Sequence, residues 1–450
     1  MRVRSASAGT VHVVGAGLAG LAAAVELAGE GYPVVLYEAG AHAGGRCRSF
    51  YDTELGVRID NGNHLLLSGN EAALAYIARI GACATFESPD VAAIPFVDLA
   101  TGERWAVRPS RGAVPWWIFS RARRVPGTRA RDYLAALRLR HAAPGDTVAA
   151  ILDRNTVLFR RLWQPLVVAA LNTAAEEASA VLFGRVLADT IGRGAAACRP
   201  MLAREGLSES LVDPALADLA RHGGEIRFGA RLKALGLAEG QVKELLFDGE
   251  TAPVMPRDDV VLAVPAAVAG RIVPGLVVPD DYSPIVNAHF RHRAPPQAPL
   301  FLGILGGTAE WVFRKRDILS VTVSAADRIV GRPADELRDL LWRDVARALG
   351  LAPEPTPPAR IVKERRATFR ATPAQLDRRP PATTAWNNLH LAGDYVDTGL
   401  PATIEGAIRS GIMAADRITR RRNSPMAPIK YSSAARPLSI TTQDCQRTLP

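Results

Sequence analysis

The chain has 450 residues, of which 48% are hydrophobic and 22% are charged, and its formal net charge is +10. This composition excludes an intrinsically disordered protein, and the length leaves room for two domains with separate cores. No uninterrupted run of about eighteen apolar residues occurs, so the sequence predicts no membrane-spanning helix.

The first predicted elements form a β-α-β unit, with strands at Val11–Val14 and Pro33–Tyr37 around a helix at Leu18–Gly29. The turn before the helix reads GAGLAG, and the second strand ends in an acid. Glycines there allow a tight turn and close approach of a pyrophosphate, while the acid accepts hydrogen bonds from a ribose diol. The pattern predicts a dinucleotide site formed by Gly15, Ala16, Gly17, Leu18, Ala19, Gly20, Glu38 and Ala39.

A second glycine turn follows the acid in the stretch EAGAHAGGRCRS, residues 38–49. This stretch resembles the E-x-x-x-x-x-G-G-R signature of the amine oxidase and phytoene desaturase superfamily of flavoproteins. In that superfamily the turn and its arginine hold FAD phosphate and ribityl oxygens, a role that suits a planar and permanently charged guanidinium. The resemblance implies FAD contacts from Gly44, Gly45 and Arg46, and further contacts from Asn61, Gly62, Asn63 and Leu232.

The middle of the chain alternates between two kinds of sequence. Glu225–Phe247 predicts a short meander, and Asp258–Pro265 is an apolar run typical of a buried parallel strand. Residues 85–200 and 281–380 carry most of the Trp and Pro and several amphipathic helical stretches. We therefore expect an α/β (mixed α+β) fold. An FAD-binding Rossmann-like domain with a β-meander takes residues 1–84, 201–280 and 381–420, a substrate-binding domain takes 85–200 and 281–380, and 421–450 form a disordered basic tail.

The stretch LAGDYVDTGLPATIEGAIRSG, Leu391–Gly411, predicts a last strand and then a helix that begins near Thr403–Ile404. In the superfamily, the acid after this strand binds ribityl hydroxyls and the helix N-terminus faces the flavin ring. An oriented helix dipole there stabilises the negative charge of a reduced flavin. The resemblance implies FAD contacts from Gly393, Asp394, Ala402, Thr403 and Ile404.

Three stretches resemble the hydroxysqualene dehydroxylase family: IDNGNHLLLSGN (59–70), LWQPLVVAALNTAAEEASA (162–180) and the C-terminal stretch above. The resemblance covers most of residues 10–420. It implies reductive removal of the allylic hydroxyl of hydroxysqualene, a C30 isoprenoid alcohol, to give squalene for hopanoid synthesis. Reduced flavin N5 would give a hydride to the allylic carbon as the leaving hydroxyl is protonated, and the sequence does not identify the electron donor. A carotenoid-type desaturase and a flavin-free isoprenoid carrier stay open as alternatives.

Two residues are candidates for the catalytic proton donor. His64 would lie near the flavin if the family layout holds, and an imidazole titrates near neutrality, although a purely hydrogen-bonding role fits equally. Asp397 is the second candidate, with a turn residue as its alternative. Flavin amine oxidases usually keep a lysine near flavin N5. Because this chain has no lysine before Lys233, only Lys315 and Lys363 qualify, which favours a desaturase-like enzyme.

Basic charge is concentrated in two segments, Arg121–Arg140 and Arg417–Pro450, each with seven basic residues and one acidic residue. The first follows Trp116, Trp117, Ile118 and Phe119, which predicts a peripheral contact with an anionic membrane. The alternative is that the tryptophans are core and the arginines are solvated. No nucleic-acid-binding motif accompanies the charge, so no such partner is predicted. Four widely spaced cysteines, without metal-ligand spacing, predict reduced thiols and a cytoplasmic protein on the inner face of the membrane.

Overall fold

The computed structural model describes residues 9–423, which are built around a five-stranded parallel sheet. All four residues of its central strand are buried, because helices cover both faces of such a sheet. The strand Val11–Val14, the helix Leu18–Gly29 and the buried strand within Asp258–Pro265 are confirmed. In spatial order the strands are β10 (Glu225–Arg227), β2 (Val34–Tyr37), β1 (Val11–Val14), β14 (Asp259–Leu262) and β20 (Leu389–Leu391).

The predicted meander is shorter than expected. Its first strand, β10, leaves the meander and pairs in parallel with β2. Two hydrogen bonds hold β10 beside β2: Gly229 N donates to Gly40 O at 3.1 Å, and Ala230 N donates to Glu38 O at 2.9 Å. The rest is an antiparallel sheet of three strands, β11 (Leu232–Ala238), β12 (Gln241–Phe247) and β13 (Thr251–Pro253).

A seven-stranded mixed sheet presents two different faces. On β15, Val286, Ala288 and Phe290 pack in an apolar cluster with helix α8 (Ala334–Leu349), whereas Asn287 and His289 alternate with them and lie on the other face. All strands of this sheet fall in the segments predicted for the substrate domain. Their order is β19 (Ala359–Phe369), β15 (Tyr282–Arg291), β18 (Ile318–Val323), β17 (Trp311–Lys315), β16 (Phe301–Leu305), β7 (Ile94–Asp98) and β8 (Arg104–Val107).

A helical segment, residues 116–189, is anchored to this sheet by Asn172. This residue follows helix α4 (Gln164–Leu171) and adopts the left-handed region, with φ 48°. Its amide nitrogen donates to Ser283 O at 3.1 Å and Thr368 Oγ1 at 3.0 Å, and its amide oxygen accepts from Ala325 N at 2.6 Å. The helices of the segment are two 3₁₀ stretches, Trp116–Phe119 and Ala130–His141, followed by α3 (Val148–Ile151), a π turn (Phe159–Trp163), α4 (Gln164–Leu171) and α5 (Ala180–Asp189).

Smaller elements complete the fold. Two minor sheets contain β3 (Ser49–Asp52) with β4 (Val57–Asp60), and β5 (Leu66–Leu67) with β9 (Pro200–Ala203) and β6 (Phe86–Glu87). The other helices are α1 (Leu18–Gly29), α2 (Glu71–Arg79), α6 (Asp213–Arg221), α7 (Ala266–Ile272), α9 (Pro373–Leu376) and α10 (Ile404–Asn423). Within residues 9–423, no helix combines the length and apolarity that crossing a membrane requires.

Two expectations about the chain are wrong. The predicted tail begins too early, because α10 continues to Asn423 and Arg422 Nε donates to the buried Asp259 at 2.9 Å. The remainder of that tail, 424–450, lies outside the described residues, as do residues 1–8. Cys47 and Cys198 are free and buried, but Cys83 is disulfide-bonded, so the prediction of reduced thiols fails for Cys83.

Candidate functional site

The first glycine turn leaves open space at the start of α1. Gly15 has φ +106°, and a side chain there would overlap Ala263 O. A Cβ at Gly17, in contrast, would meet no atom within 4 Å. Helix α1 begins at Leu18 without a side-chain cap, so its first amides remain available to an anion. Because Gly20 also packs against the Gly15 backbone, only Gly17 faces the opening.

Glu38 and the second glycine turn lie against the first one. Glu38 Oε2 accepts from Ala16 N at 2.9 Å, and Oε1 accepts from Gly40 N at 2.8 Å. Gly44 N donates to Ala16 O at 2.8 Å, and a Cβ at Gly45 would come within 3.4 Å of the first turn. Ala39 follows Glu38 directly. The two motifs, separate in sequence, therefore form one continuous surface of backbone and carboxylate.

Arg46 joins this surface to the C-terminal motif. Its Nη2 donates to Asp394 Oδ1 at 2.8 Å, and its Nη1 donates to Ala367 O at 2.5 Å. The Asp394 carboxylate raises the pKa of Arg46. The Arg46 side chain is still 45% exposed, so the guanidinium borders an opening that a phosphate can reach.

The C-terminal motif lies next to the second glycine turn, because Asp394 is bonded to Arg46. Gly393 has φ +153°, where a Cβ would press on the Tyr395 ring, and its amide donates to Ser410 Oγ at 2.8 Å. Helix α10 begins at Ile404, and Thr403 Oγ1 caps it by accepting from Gly406 N at 3.1 Å. Of the other predicted contacts, Ala19 lies in the first turn of α1, and Ala402 lies two residues before α10. Leu232, on β11, is buried opposite Phe247 of β12.

A buried ion pair lies at the start of the DNGNH loop, residues 60–64. Asp60 Oδ2 pairs with Lys315 Nζ, while Oδ1 accepts from Ser49 Oγ at 2.6 Å and Leu207 N at 2.8 Å. Burial by itself would raise the pKa of Asp60, but Lys315 and these hydrogen bonds outweigh it and lower the pKa. The other lysine considered from the sequence, Lys363, donates to Arg332 O instead.

The DNGNH loop is fastened to the polar face of the seven-stranded sheet. Asn61 O accepts from Asn287 Nδ2 at 3.4 Å, and Asn63 Nδ2 donates to Thr322 Oγ1 at 3.0 Å. A Cβ at Gly62 would lie 3.2 Å from Asn287 Nδ2 and 3.9 Å from the ring nitrogen Nε2 of His64. A side chain at Gly62 would therefore be in tight contact with the Asn287 amide.

His64 does not have the near-neutral pKa expected from its sequence context. Burial lowers the pKa of His64 to about 4, although the Asp60 charge acts in the opposite direction. The imidazole is therefore neutral at pH 7. Burial therefore disfavours a protonated imidazole near neutrality, whereas a hydrogen-bonding role is open to a neutral ring, and the catalytic role of His64 stays a prediction.

Asp397 is far more exposed than a buried catalytic acid. Its side chain is 63% exposed, and its Oδ1 accepts from Gly399 N at 3.1 Å. This is the geometry of a turn residue, the alternative reading of the sequence. Glu176 and Glu177, which follow the LNT segment, are also exposed. The Glu176 carboxylate lies 4.0 Å from Arg154, and the Glu177 carboxylate lies 3.9 Å from Arg370.

Sequence reasoning missed a pair of buried polar residues beside the lysine. His289 Nδ1 and Ser320 Oγ are 2.6 Å apart, on neighbouring strands β15 and β18. Burial lowers the pKa of His289 to about 4. The signal was present in YSPIVNAHF and ILSVTV, where polar residues alternate with apolar ones in strands that are otherwise core-like.

The aromatic stretch before the arginines is divided between surface and core. Trp116 and Phe119 are 68% and 66% exposed, whereas Trp117 and Ile118 are only 2% and 4% exposed. The Trp117 ring packs edge-on against Tyr133 at 5.1 Å. The prediction that all four residues contact a membrane is therefore wrong for Trp117 and Ile118, which belong to the core.

Comparisons with known proteins agree with this geometry. The family model for flavin containing amine oxidoreductases matches residues 18–419. The chain belongs to the flavin-containing amine oxidoreductase family. Its cofactor is FAD, and it is an FAD-dependent oxidoreductase.

Two curated relatives are similar over nearly their whole length. A hydroxysqualene dehydroxylase from Rhodopseudomonas palustris is 47% identical over 91% of this chain and 98% of its own. One from Sinorhizobium fredii is 46% identical, over 92% and 99%. Among solved structures, cyclohexylamine oxidase from Brevibacterium oxydans superposes with a TM-score of 0.68 at 15% identity, covering 93% of this chain and 100% of its own, which shows the shared fold.

Proposed function

We propose that the protein is a hydroxysqualene dehydroxylase, which converts hydroxysqualene to squalene in the bacterial route to hopanoids. The observation that carries this proposal is the 47% identity to a relative of that name, across 98% of that relative. The three stretches that resemble this family in the sequence also support the proposal: the DNGNH loop, the LNT segment that anchors the helices, and the C-terminal motif.

We assign the FAD contacts as follows. The first turn of α1 and Gly17 would receive the pyrophosphate, Glu38 the ribose diol, and Arg46 a phosphate. Asp394 would accept from ribityl hydroxyls, and the start of α10 would face the flavin ring. When bound and reduced, FAD would supply the hydride for the allylic carbon, and the hydroxyl would leave as water after taking up one proton from the medium, so that alcohol, hydride and proton give squalene and water. The parallel sheet and meander would form the FAD domain, and the seven-stranded sheet and helical segment the substrate domain, with the boundaries predicted from the sequence.

Apolar burial would provide most of the substrate affinity. A polyene gains about 25 cal/mol for each Å² of surface it buries, so an enclosing apolar lining is sufficient to bind it. The same lining would exclude water from the allylic cation that forms if the hydroxyl leaves first.

His64 would act on the leaving hydroxyl as a neutral imidazole. Its ring can donate one N–H hydrogen bond and thereby orient the hydroxyl, but its low pKa gives it no spare proton at pH 7. The buried Asp60–Lys315 ion pair fixes the loop that carries His64. We therefore retain His64 at the reaction centre and do not retain Asp397 as an acid.

A peripheral membrane contact would supply the oily substrate. The exposed Trp116 and Phe119 have rings 6.2 Å apart. Exposed Leu134 and Leu137 stand three residues apart on the 3₁₀ helix packed beside them, which places both on one side of that helix. Five exposed arginines of the segment Arg121–Arg140 have no ion pair with any described residue: Arg121, Arg123, Arg129, Arg138 and Arg140. We propose that this surface rests on the anionic inner face of the membrane.

The test is an anaerobic reaction of the purified holoprotein with hydroxysqualene and chemically reduced FAD, with squalene measured by mass spectrometry. We expect squalene to form as the flavin is oxidised. A carotenoid-type desaturase, the alternative within this family, would instead reduce oxidised FAD while it forms double bonds. No squalene with reduced FAD, and flavin reduction with a carotenoid precursor, would contradict the proposal. The flavin-free carrier is set aside because the cofactor is FAD.

A further inference from the structure

A buried arginine, Arg379, holds the loop from Asp394 to Leu400. Its side chain is 2% exposed. The guanidinium donates to the carbonyl oxygens of Val396 at 2.5 Å, Leu400 at 2.7 Å, Tyr395 at 3.3 Å and Asp394 at 3.4 Å. One side chain therefore fixes four carbonyl groups of a loop that connects the last strand of the parallel sheet to the start of α10.

Carbonyl dipoles and an aromatic ring surround this cation, and no carboxylate among the described residues lies closer to it than 4.0 Å. Its nearest acidic atom is Asp397 Oδ1 at 4.0 Å, on an exposed side chain, whereas the Asp394 carboxylate is bonded to Arg46. The guanidinium carbon lies 5.2 Å from the centre of the Phe369 ring. An arginine keeps its charge when buried, and a charge in such surroundings acts over a longer distance than one in water.

The chain on both sides of Arg379 connects it to the substrate side of the molecule. Ala371, two residues after the end of β19, accepts from Ser179 N at 2.8 Å and donates to Thr173 Oγ1 at 2.8 Å. Thr173 directly follows the anchoring Asn172. Pro380, the next residue after Arg379, accepts from Asp397 N at 2.8 Å. The Asp394–Leu400 loop is thus held from the side of the helical segment.

We propose that Arg379 is a positioning residue for the flavin. It fixes the Asp394–Leu400 loop in the conformation that receives FAD, and its buried positive charge favours the reduced, negatively charged form of the bound flavin. The inference rests on the proposed function, because it requires FAD to lie against the segment from Gly393 to Thr403.

The test compares Arg379→Gln, Arg379→Lys and a matched control, Arg378→Gln. Arg378 is the neighbouring arginine, and it forms a surface ion pair with Asp280 at 2.6 Å. Fluorescence titration of the apoprotein gives the FAD dissociation constant, and dye-coupled reduction of the holoprotein gives the flavin midpoint potential. Both readouts are independent of substrate turnover.

We expect Arg379→Gln to raise the dissociation constant roughly tenfold or more, since it leaves carbonyl groups without a donor, and to lower the midpoint potential. Arg379→Lys keeps the charge but cannot reach four acceptors. It should return the potential to near the wild-type value while FAD affinity stays reduced. Arg378→Gln should change neither quantity. A purely structural role for Arg379 would weaken binding in both variants without this separation.

Unchanged affinity and potential in Arg379→Gln would overturn the inference. Equal potentials in the Gln and Lys variants would overturn the part that concerns charge. If both variants are insoluble, Phe369→Leu decides, because it loosens the guanidinium without removing it: an unchanged dissociation constant and potential for that variant would also overturn the inference. Failure of the wild-type protein to bind FAD would instead count against the proposed function.

Discussion

Arg46 Nη2 and Asp394 Oδ1 are 2.8 Å apart, although 348 residues separate them in the chain. Both are predicted to contact FAD, so each holds the other in place at the site. The ion pair also offsets the arginine charge, so a phosphate that binds Arg46 must compete with the Asp394 carboxylate. The two residues are therefore coupled, and their contributions to FAD binding are not independent.

Removing either member of this pair should weaken FAD binding. We expect Arg46→Met to raise the FAD dissociation constant about ten- to a hundredfold, because a charged hydrogen bond to phosphate is lost. The double variant, Arg46→Met with Asp394→Asn, should lose less FAD-binding free energy than the two single variants lose together. Titration of the four apoproteins with FAD measures this, with Arg48→Met, an exposed neighbour, as the control. Strict additivity would contradict the coupling.

His64→Ala should slow squalene formation roughly a hundredfold while FAD is retained, because the leaving hydroxyl loses its hydrogen-bond partner. His64→Gln, which can still donate a hydrogen bond, should be less impaired. Since the pKa of His64 is lowered to about 4, neither variant should remove an inflection of the rate between pH 6 and 8. Rates measured across this range test both points, and loss of an inflection near pH 6.5 would show that His64 is the acid after all.

His289 should make stability depend on pH. Its folded pKa of about 4 lies below the usual 6.5, so the unfolded chain takes up a proton first as the pH falls. The neutral His289 ring contributes fully to the free energy of unfolding above about pH 6.5. This contribution is lost progressively towards pH 4, by up to about 3 kcal/mol. His289→Gln should flatten the pH dependence of the free energy of unfolding in urea, whereas exposed His141→Gln should not. Equal slopes in the wild type and His289→Gln would refute this.

Trp116→Ser combined with Phe119→Ser should reduce binding to vesicles that contain phosphatidylglycerol at least about tenfold, because both exposed rings are lost. Co-sedimentation measures the effect, and the melting temperature should not change. Met255→Ser, which also removes an exposed apolar side chain, is the control. Trp117→Ser should instead lower the melting temperature, since its ring is core. Full vesicle binding by the double variant would dispose of the proposed contact.

Gly411→Ala should destabilise the protein by about 1–3 kcal/mol. Helices α1 and α10 approach so closely that a Cβ at Gly411 would overlap the carbonyl oxygen of Ala19. Chemical denaturation of the apoprotein measures the loss. Gly331→Ala, where a Cβ would meet no atom within 4 Å, is the matched control and should change stability little. Similar stability of both variants would mean that the helices can move apart at no cost.

The sequence predicted those elements of the fold that depend on residues close together in the chain. The β-α-β unit around GAGLAG was recognisable because glycine positions and strand periodicity are properties of the segment itself. The departure of β10 was not, since it depends on hydrogen bonds from Gly229 and Ala230 to a loop nearly two hundred residues earlier. The low pKa of His64 arises from tertiary burial, which no spacing in DNGNH reports.

The aromatic stretch shows a limit of a different kind. Four consecutive apolar residues indicate a membrane contact only if they share one face. In a 3₁₀ turn, residues three apart lie on the same side, so Trp116 and Phe119 face outward while Trp117 and Ile118 face inward. The sequence alone did not specify this type of turn.

The parallel sheet has a consequence for biosynthesis. Its central strand is made first, yet one neighbour, β14, is about 250 residues away and the edge strand β20 is made almost last. While the middle of the chain is being synthesised, the N-terminal strand β1 can pair with β2 but not yet with β14, and β20 is not yet present. The predicted coenzyme site is therefore complete only after β20 and α10 have been synthesised and have packed against the N-terminal strands.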